Sequence, residues 1–133
     1  MFGVELHKLV IHFPVALAIV ALGYDGWAVY SGRDRLHGVG SNMLMLAALT
    51  AIVATATGLD LAGMRGLGSG GTVTGHAGLA LAGTIALSGL AFVRYSAETR
   101  ASSSAVAFSN LWLAVEILAM GLISASAIIG HRI

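Results

Sequence analysis

Histidines are the residues of this chain whose type and placement could do chemistry. The chain has five, and four of them lie near the ends of apolar segments: His7, His12, His76 and His131. Imidazole is the usual ligand of haem iron and a common ligand of transition-metal ions. The chain contains no cysteine, which excludes disulfides, thiolate-held clusters and covalently attached c-type haem. The histidines therefore predict either a non-covalent haem b or an ion of zinc, copper or iron.

Four apolar stretches must position these histidines. They run over about Val4–Tyr30, Asn42–Gly63, Thr72–Tyr95 and Ala105–Gly130. A helix of roughly 20 apolar residues spans a bilayer. With 57% hydrophobic and 10% charged residues, the sequence predicts an all-α, integral membrane four-helix bundle that forms one transmembrane domain over residues 1–133. Since successive spans alternate in direction, those four histidines share one membrane face and His37 lies on the other.

The distribution of charge limits the partners and predicts an orientation. A net charge of +1 argues against nucleic acid, which requires a basic surface. The His37 face carries one more basic residue than the histidine face: Arg33, Arg35, Arg94 and Arg100 against Lys8, Arg65 and Arg132. Cytoplasmic loops are enriched in Lys and Arg. We therefore expect a multi-pass protein of the bacterial inner membrane with both termini and the histidines on the periplasmic side.

Spacing separates the two histidines of the first span. His7 and His12 are five residues apart and point about 140° away from each other on a regular helix. Pro14 either starts the span, leaving an interfacial turn before it, or kinks one long helix. His76 lies about one turn inside the third span, so it pairs at similar depth with one of the two. His131 could serve a second site or hydrogen bond a haem propionate.

Three carboxylates lie in or beside the spans. Asp60 could accept a proton from a ligand histidine's second nitrogen, form a salt bridge or be exposed. Glu116, about ten residues inside the fourth span, is expected to be protonated or hydrogen bonded to another helix. A polar clamp between helices is the favoured interpretation of Glu116, and a proton relay or quinone contact is the alternative. Asp25 could pair with Arg33 or Arg94.

The first span also carries a family resemblance. His12-Phe13-Pro14, preceded by His7, resembles the opening of the bacterial membrane proteins grouped as domain of unknown function 2231. Further matches are Gly58-Leu59-Asp60, His76 and the closing Ile129-Gly130-His131, while Lys8 replaces the family's first proline. Members are often joined to c-type cytochrome domains, and the resemblance therefore implies redox work in the membrane or periplasm.

These features together predict a b-type cytochrome-like electron-transfer protein or subunit rather than a stand-alone enzyme. His76 and a first-span histidine would be the axial ligands of haem near the periplasmic face. The expected partners are the lipid bilayer, quinone and a periplasmic c-type cytochrome or larger respiratory complex, and a homo-oligomer is left open. The alternatives are a transition-metal site built from the same histidines and a structural membrane subunit without a cofactor.

Overall fold

Long helices make up nearly all of the protein. The computed structural model describes residues 2–65, 71–100 and 110–131. Its helices are α1 (Phe2–Val10), α2 (His12–Ser31), α3 (Arg35–Arg65), α4 (Thr72–Arg100) and α5 (Asn110–His131). Four segments are long and apolar enough to cross a membrane: Glu5–Ser31, Arg35–Leu61, Thr72–Thr99 and Leu111–Gly130. The prediction of an all-α bundle with four membrane spans is confirmed.

Pro14 interrupts the first span without ending it. Proline has no N–H, so the carbonyl four residues earlier, that of Val10, loses its helical partner. Ile11 nevertheless keeps helical torsion angles (φ −65°, ψ −20°), and its N–H donates to the carbonyl of His7 at 3.0 Å. The single kinked span is therefore the better of the two predicted descriptions. The break divides it into α1 and α2.

The second and third spans are longer than the apolar segments predict. Helix α3 begins at Arg35, seven residues before Asn42, and α4 continues to Arg100. The 31 residues of α3 extend over about 46 Å, whereas the hydrocarbon core is about 30 Å thick. Hydropathy marks only the part of a helix that lies in lipid. His37 consequently belongs to the first turn of α3 and not to the predicted connection.

Small residues at the centre bring the helices close together. In the ring of helices, α2 and α4 each pack against both α3 and α5, while α1 packs on α3 and α2. Most buried apolar residues are alanines: Ala18, Ala21, Ala28, Ala47, Ala48, Ala51, Ala54, Ala91 and Ala119. A Cβ added at Gly83 would lie 2.7 Å from Ile123 Cγ1, which marks the close approach of α4 and α5. Small residues permit such contacts between membrane helices, and larger apolar side chains such as Phe92 and Leu118 point outward.

Candidate functional site

A cavity opens into the bundle beside His7 and His76, which we call the histidine pair. Its volume is about 570 Å³, including the open mouth. The wall is largely apolar and includes Ile11, Pro14, Ala51, Ala54, Ala80 and Ile123. The break at Ile11 thus places the α1 histidine and the start of α2 on the same cavity. Ligand sites are commonly concave and mostly apolar, with a few polar groups that fix orientation.

The His7 imidazole is fixed by a hydroxyl group of α3. Its Nδ1 lies 3.0 Å from Thr57 Oγ1. The hydroxyl already donates its one hydrogen to the carbonyl of Ala54 at 2.9 Å. With that hydrogen engaged, the Thr57 oxygen can accept a hydrogen bond from His7, an arrangement that places the proton of a neutral imidazole on Nδ1. In this tautomer Nε2 carries a free lone pair.

The His76 imidazole is fixed in the same tautomer by α5. Its Nδ1 lies 2.8 Å from the backbone oxygen of Ser126 and 3.2 Å from the hydroxyl of the same residue. A carbonyl oxygen can only accept, so Nδ1 is the donor. No hydrogen bond within the described residues uses Nε2 of either member of the histidine pair. A histidine that ligates a metal commonly donates its other ring N–H to a carbonyl or carboxylate.

Each imidazole lies against a glycine of the helix that holds it. A Cβ added at Gly58 would stand 2.8 Å from His7 Cε1 and 3.3 Å from Nε2. A Cβ added at Gly130 would stand 2.5 Å from His76 Cε1 and 3.1 Å from Nε2. Real Cβ atoms do not approach other atoms so closely, and either substitution would push the ring. Two of the segments that resemble the family, Gly58-Leu59-Asp60 and Ile129-Gly130-His131, thus contain the glycines that make room for the histidine pair.

This close approach leads to a stability prediction. Gly58→Ala should lower the free energy of unfolding by about 1–3 kcal/mol relative to Gly63→Ala, because the new methyl group overlaps the His7 ring. Gly63 is the matched control, since it lies on the same helix and a Cβ there meets nothing within 4 Å. Thermal unfolding in detergent measures the difference. Equal stability of the two variants would show that His7 does not lie against Gly58.

The other predicted site residues lie elsewhere. His12 is exposed and does not line the cavity. Asp60 is exposed, and no described hydrogen bond joins it to a histidine. Thr57 and Ser126 instead make the hydrogen bonds to the ring nitrogens of the histidine pair. His131 ends α5, but its side chain lies outside the part of the protein that the structure describes. Its predicted role as a ligand stays a prediction.

The opposite end of the bundle holds a buried ion pair. Arg94 donates to both carboxylate oxygens of Asp25, at 2.5 and 2.7 Å, and to the carbonyl of His37 at 2.7 Å. His37 Nδ1 is 3.0 Å from Asp25 Oδ1. Asp25 is 0% and Arg94 4% exposed. Of the two predicted partners of Asp25, the structure selects Arg94, and it adds His37, for which the sequence indicates no partner.

Glu116 lies near this ion pair without joining it. It is 1% exposed and within electrostatic range of Asp25 and Arg94. Neither carboxyl oxygen makes a hydrogen bond of normal geometry to any described residue. The Glu116 carboxyl group nevertheless lies close enough to Asp25 of α2 to interact with it, and the polar clamp between helices stays a prediction. An isolated carboxyl group in a membrane interior is costly, and it often has a functional role.

Thr57 and Ser126 are functional candidates that the sequence analysis misses, although the sequence contains a signal for them. The histidine pair is separated by 69 residues, and Thr57 and Ser126 are separated by the same number. The buried ion-pair residues Asp25 and Arg94 have this separation too. Few residues are identical when the first half of the chain is aligned with the second half at this offset, so residue identity does not reveal the matched positions. The constant offset of polar residues inside apolar helices would have revealed it.

The fold and this arrangement define the class: a small α-helical membrane protein with four spans, a histidine-lined cavity at one end and a buried ion pair at the other. The family model of the predicted membrane proteins of domain of unknown function 2231 matches residues 3–133. The chain belongs to this family, as the resemblance predicts. No curated protein and no solved structure matches the chain.

Proposed function

We propose that the protein is a b-type cytochrome-like electron-transfer protein or subunit that binds haem between His7 and His76. The observation that carries the proposal is that the two histidines have the same position and the same hydrogen bonding. Both imidazoles face one apolar cavity, both donate from Nδ1 to an oxygen of a neighbouring helix, and both keep Nε2 available. A haem iron with two axial histidines requires this set of donors.

The chemistry of the cavity wall and the origin of the two imidazoles support the proposal. The histidine pair comes from α1 and α4, two different spans, so a flat ring could enter between them. Alanines and Ile123 supply a wall without charges. Burial in an apolar site holds a haem non-covalently and influences its reduction potential. When haem is bound, such a wall would cover part of the ring with apolar side chains.

The chain's own residues prepare the ligands. Thr57 and the Ser126 carbonyl fix the tautomer and the orientation of each ring, and such hydrogen bonds raise the basicity of a ligating nitrogen. Gly58 and Gly130 leave the space in which the rings lie. When bound, haem supplies reversible one-electron chemistry, while the protein contributes binding, orientation and electrostatics.

A haem titration of the purified protein tests the proposal. We expect low-spin haem to bind at one per chain, with His12→Ala unchanged. Thr57→Val should weaken binding by about 10–100-fold, because it removes the acceptor that orients His7. Ser126→Ala should weaken binding less, since the carbonyl that accepts from His76 is part of the backbone.

Metal analysis of the same protein tests the alternatives. Stoichiometric zinc, copper or non-haem iron without haem affinity would reject the proposal and favour a histidine-based metal site. The cavity brings two described imidazoles together, whereas structural zinc sites take four protein ligands and catalytic sites three. Absence of both haem and metal binding would favour a cofactor-free structural subunit.

The proposed location is the bacterial inner membrane, with the histidine pair at the periplasmic end. In that orientation the haem would lie where a periplasmic c-type cytochrome or a larger respiratory complex could accept electrons that originate from quinol. The support is the excess of arginine at the His37 end and the histidine-lined cavity at the other. Association with a further copy of the chain is compatible with this proposal.

The orientation leads to a topology prediction. Alkaline phosphatase fused after Ile133 should be active, because both termini lie on the periplasmic side. A fluorescent protein that folds only in the cytoplasm should stay dark at the same position. Fusions within the connection between α2 and α3 serve as the control and should give the opposite result. The reverse pattern would place the histidine pair at the cytoplasmic face.

A further inference from the structure

Glu116 is a buried carboxyl group that the proposed haem site does not use. It lies six residues from the described start of α5, about 9 Å along the helix. Asp25 lies six residues from the end of α2, at a similar depth. Glu116 is 1% exposed, and both of its oxygens are without hydrogen-bond partners in the described residues. Ionising such a group costs several kcal/mol or more unless a compensating charge is near.

Glu116 shares its buried surroundings with other charged groups of the described residues. Asp25 and Arg94 neutralise each other through two hydrogen bonds. Glu98 lies at the exposed edge, where its carboxylate is 3.5 Å from Arg94 Nε and accepts from the Ser41 hydroxyl. His37, the remaining titratable group of this cluster, contacts Asp25 directly. An ionised Glu116 therefore adds a third carboxylate beside Arg94, and binding a proton there removes that charge.

His37 links this buried cluster to the aqueous end of the bundle. It lies in the first turn of α3, and 18% of its side chain is exposed, whereas the Asp25 side chain is 0% exposed. Its Nδ1 is 3.0 Å from Asp25 Oδ1. An imidazole can take a proton at one ring nitrogen and release one from the other. The path from water to the buried carboxyl groups thus starts at a residue suited to proton transfer.

We propose that Glu116 is a proton-binding site inside the membrane and that it is loaded from the His37 end through His37 and Asp25. His37 accepts a proton from water at Nε2 and releases the Nδ1 proton to Asp25. The Asp25 and Glu116 carboxyl groups are close enough to interact, and a small approach brings them to hydrogen-bond distance. Asp25 then passes a proton to the Glu116 carboxylate and returns to its ionised state beside Arg94. One proton moves from water to Glu116, His37 resets by exchange with water, and no electron is transferred.

Infrared difference spectroscopy of the haem-free protein tests this site, so the result is independent of the cofactor proposal. The probe is the C=O stretching band of a protonated carboxyl group, followed during a pH titration in lipid nanodiscs. We expect a band that loses intensity as pH rises and that shifts in protein labelled with ¹³C-glutamate. It should be absent in Glu116→Gln and retained in Glu98→Gln, the matched control at the exposed edge.

The route is tested by the rate of hydrogen–deuterium exchange of that band. His37→Gln can still donate to Asp25 but cannot titrate, so exchange should slow by about tenfold or more. If Glu116→Gln does not fold, the isotope shift in the unaltered protein decides the assignment, because the chain's other glutamates, Glu5 and Glu98, are exposed. The proposed site would be overturned if the band persists in Glu116→Gln, or if the glutamate band is missing or never titrates. The proposed route would be overturned if the band of His37→Gln exchanges at the wild-type rate.

Discussion

Replacing His76 by alanine is expected to abolish the low-spin haem spectrum or to leave the site empty. A haem iron loses a strong axial bond when its imidazole is removed, and alanine offers no replacement. His7→Ala should have the same effect, because His7 and not His12 lines the cavity. Absorption spectra of the purified variants, normalised to protein, measure the loss.

Two control variants accompany this prediction. His12→Ala removes an exposed imidazole at the start of α2, outside the cavity. His37→Ala removes the imidazole at the far end of the bundle. Both should retain a wild-type spectrum, although His37→Ala should be less stable because it removes a hydrogen bond to Asp25. A wild-type low-spin spectrum in His76→Ala would show that the proposed ligand pair is wrong. Haem loss confined to His37→Ala would move the site to the other end.

Replacing Arg94 by methionine is expected to destabilise the bundle by about 3–5 kcal/mol, because it leaves a buried carboxylate without its cation. Asp25 is 0% exposed and accepts two hydrogen bonds from Arg94. A loss of this size is a large share of the stability of a small domain. Unfolding in a detergent titration, followed by circular dichroism, measures it.

The double variant Asp25→Val with Arg94→Met should recover most of that loss. Substituting both members of a buried ion pair by apolar residues is often neutral or even stabilising. Valine is shorter than aspartate, so its methyl groups do not reach as far toward Gly40, which packs directly against the Asp25 side chain. Arg35→Met is the control, because Arg35 is an exposed arginine at the same end. If Arg94→Met is no less stable than Arg35→Met, the ion pair does not hold the helices together.

Hydropathy and alternation of direction predict much of this architecture. They place the four spans, put the histidine pair at one end and His37 at the other, and Pro14 indicates the break in the first span. The angular spacing of His7 and His12 predicts that the two side chains do not share one site on a regular helix. Asp25 and Arg94 emerge as one of two predicted pairings, since a buried carboxylate in a membrane needs a cation.

The hydrogen-bond partners could not be predicted in the same way. Thr57 and Ser126 lie in apolar helices, where threonine and serine are common. The sequence therefore favours Asp60 as the hydrogen-bond acceptor of a ligand histidine. Which hydroxyl meets a histidine depends on the rotation of one helix against another, which hydropathy does not report. His37 lies outside the predicted apolar stretches, because polar helical turns beyond the hydrocarbon core resemble a loop in the sequence.

The absorption spectrum of the native protein, purified from membranes and recorded oxidised and then reduced, tests the central claim most directly. We expect a Soret band, with sharp α and β bands on reduction. The haem should be extracted by acidified organic solvent, because no cysteine attaches it. A protein that is fully folded by circular dichroism, shows no such bands and takes up no haem on titration would contradict it.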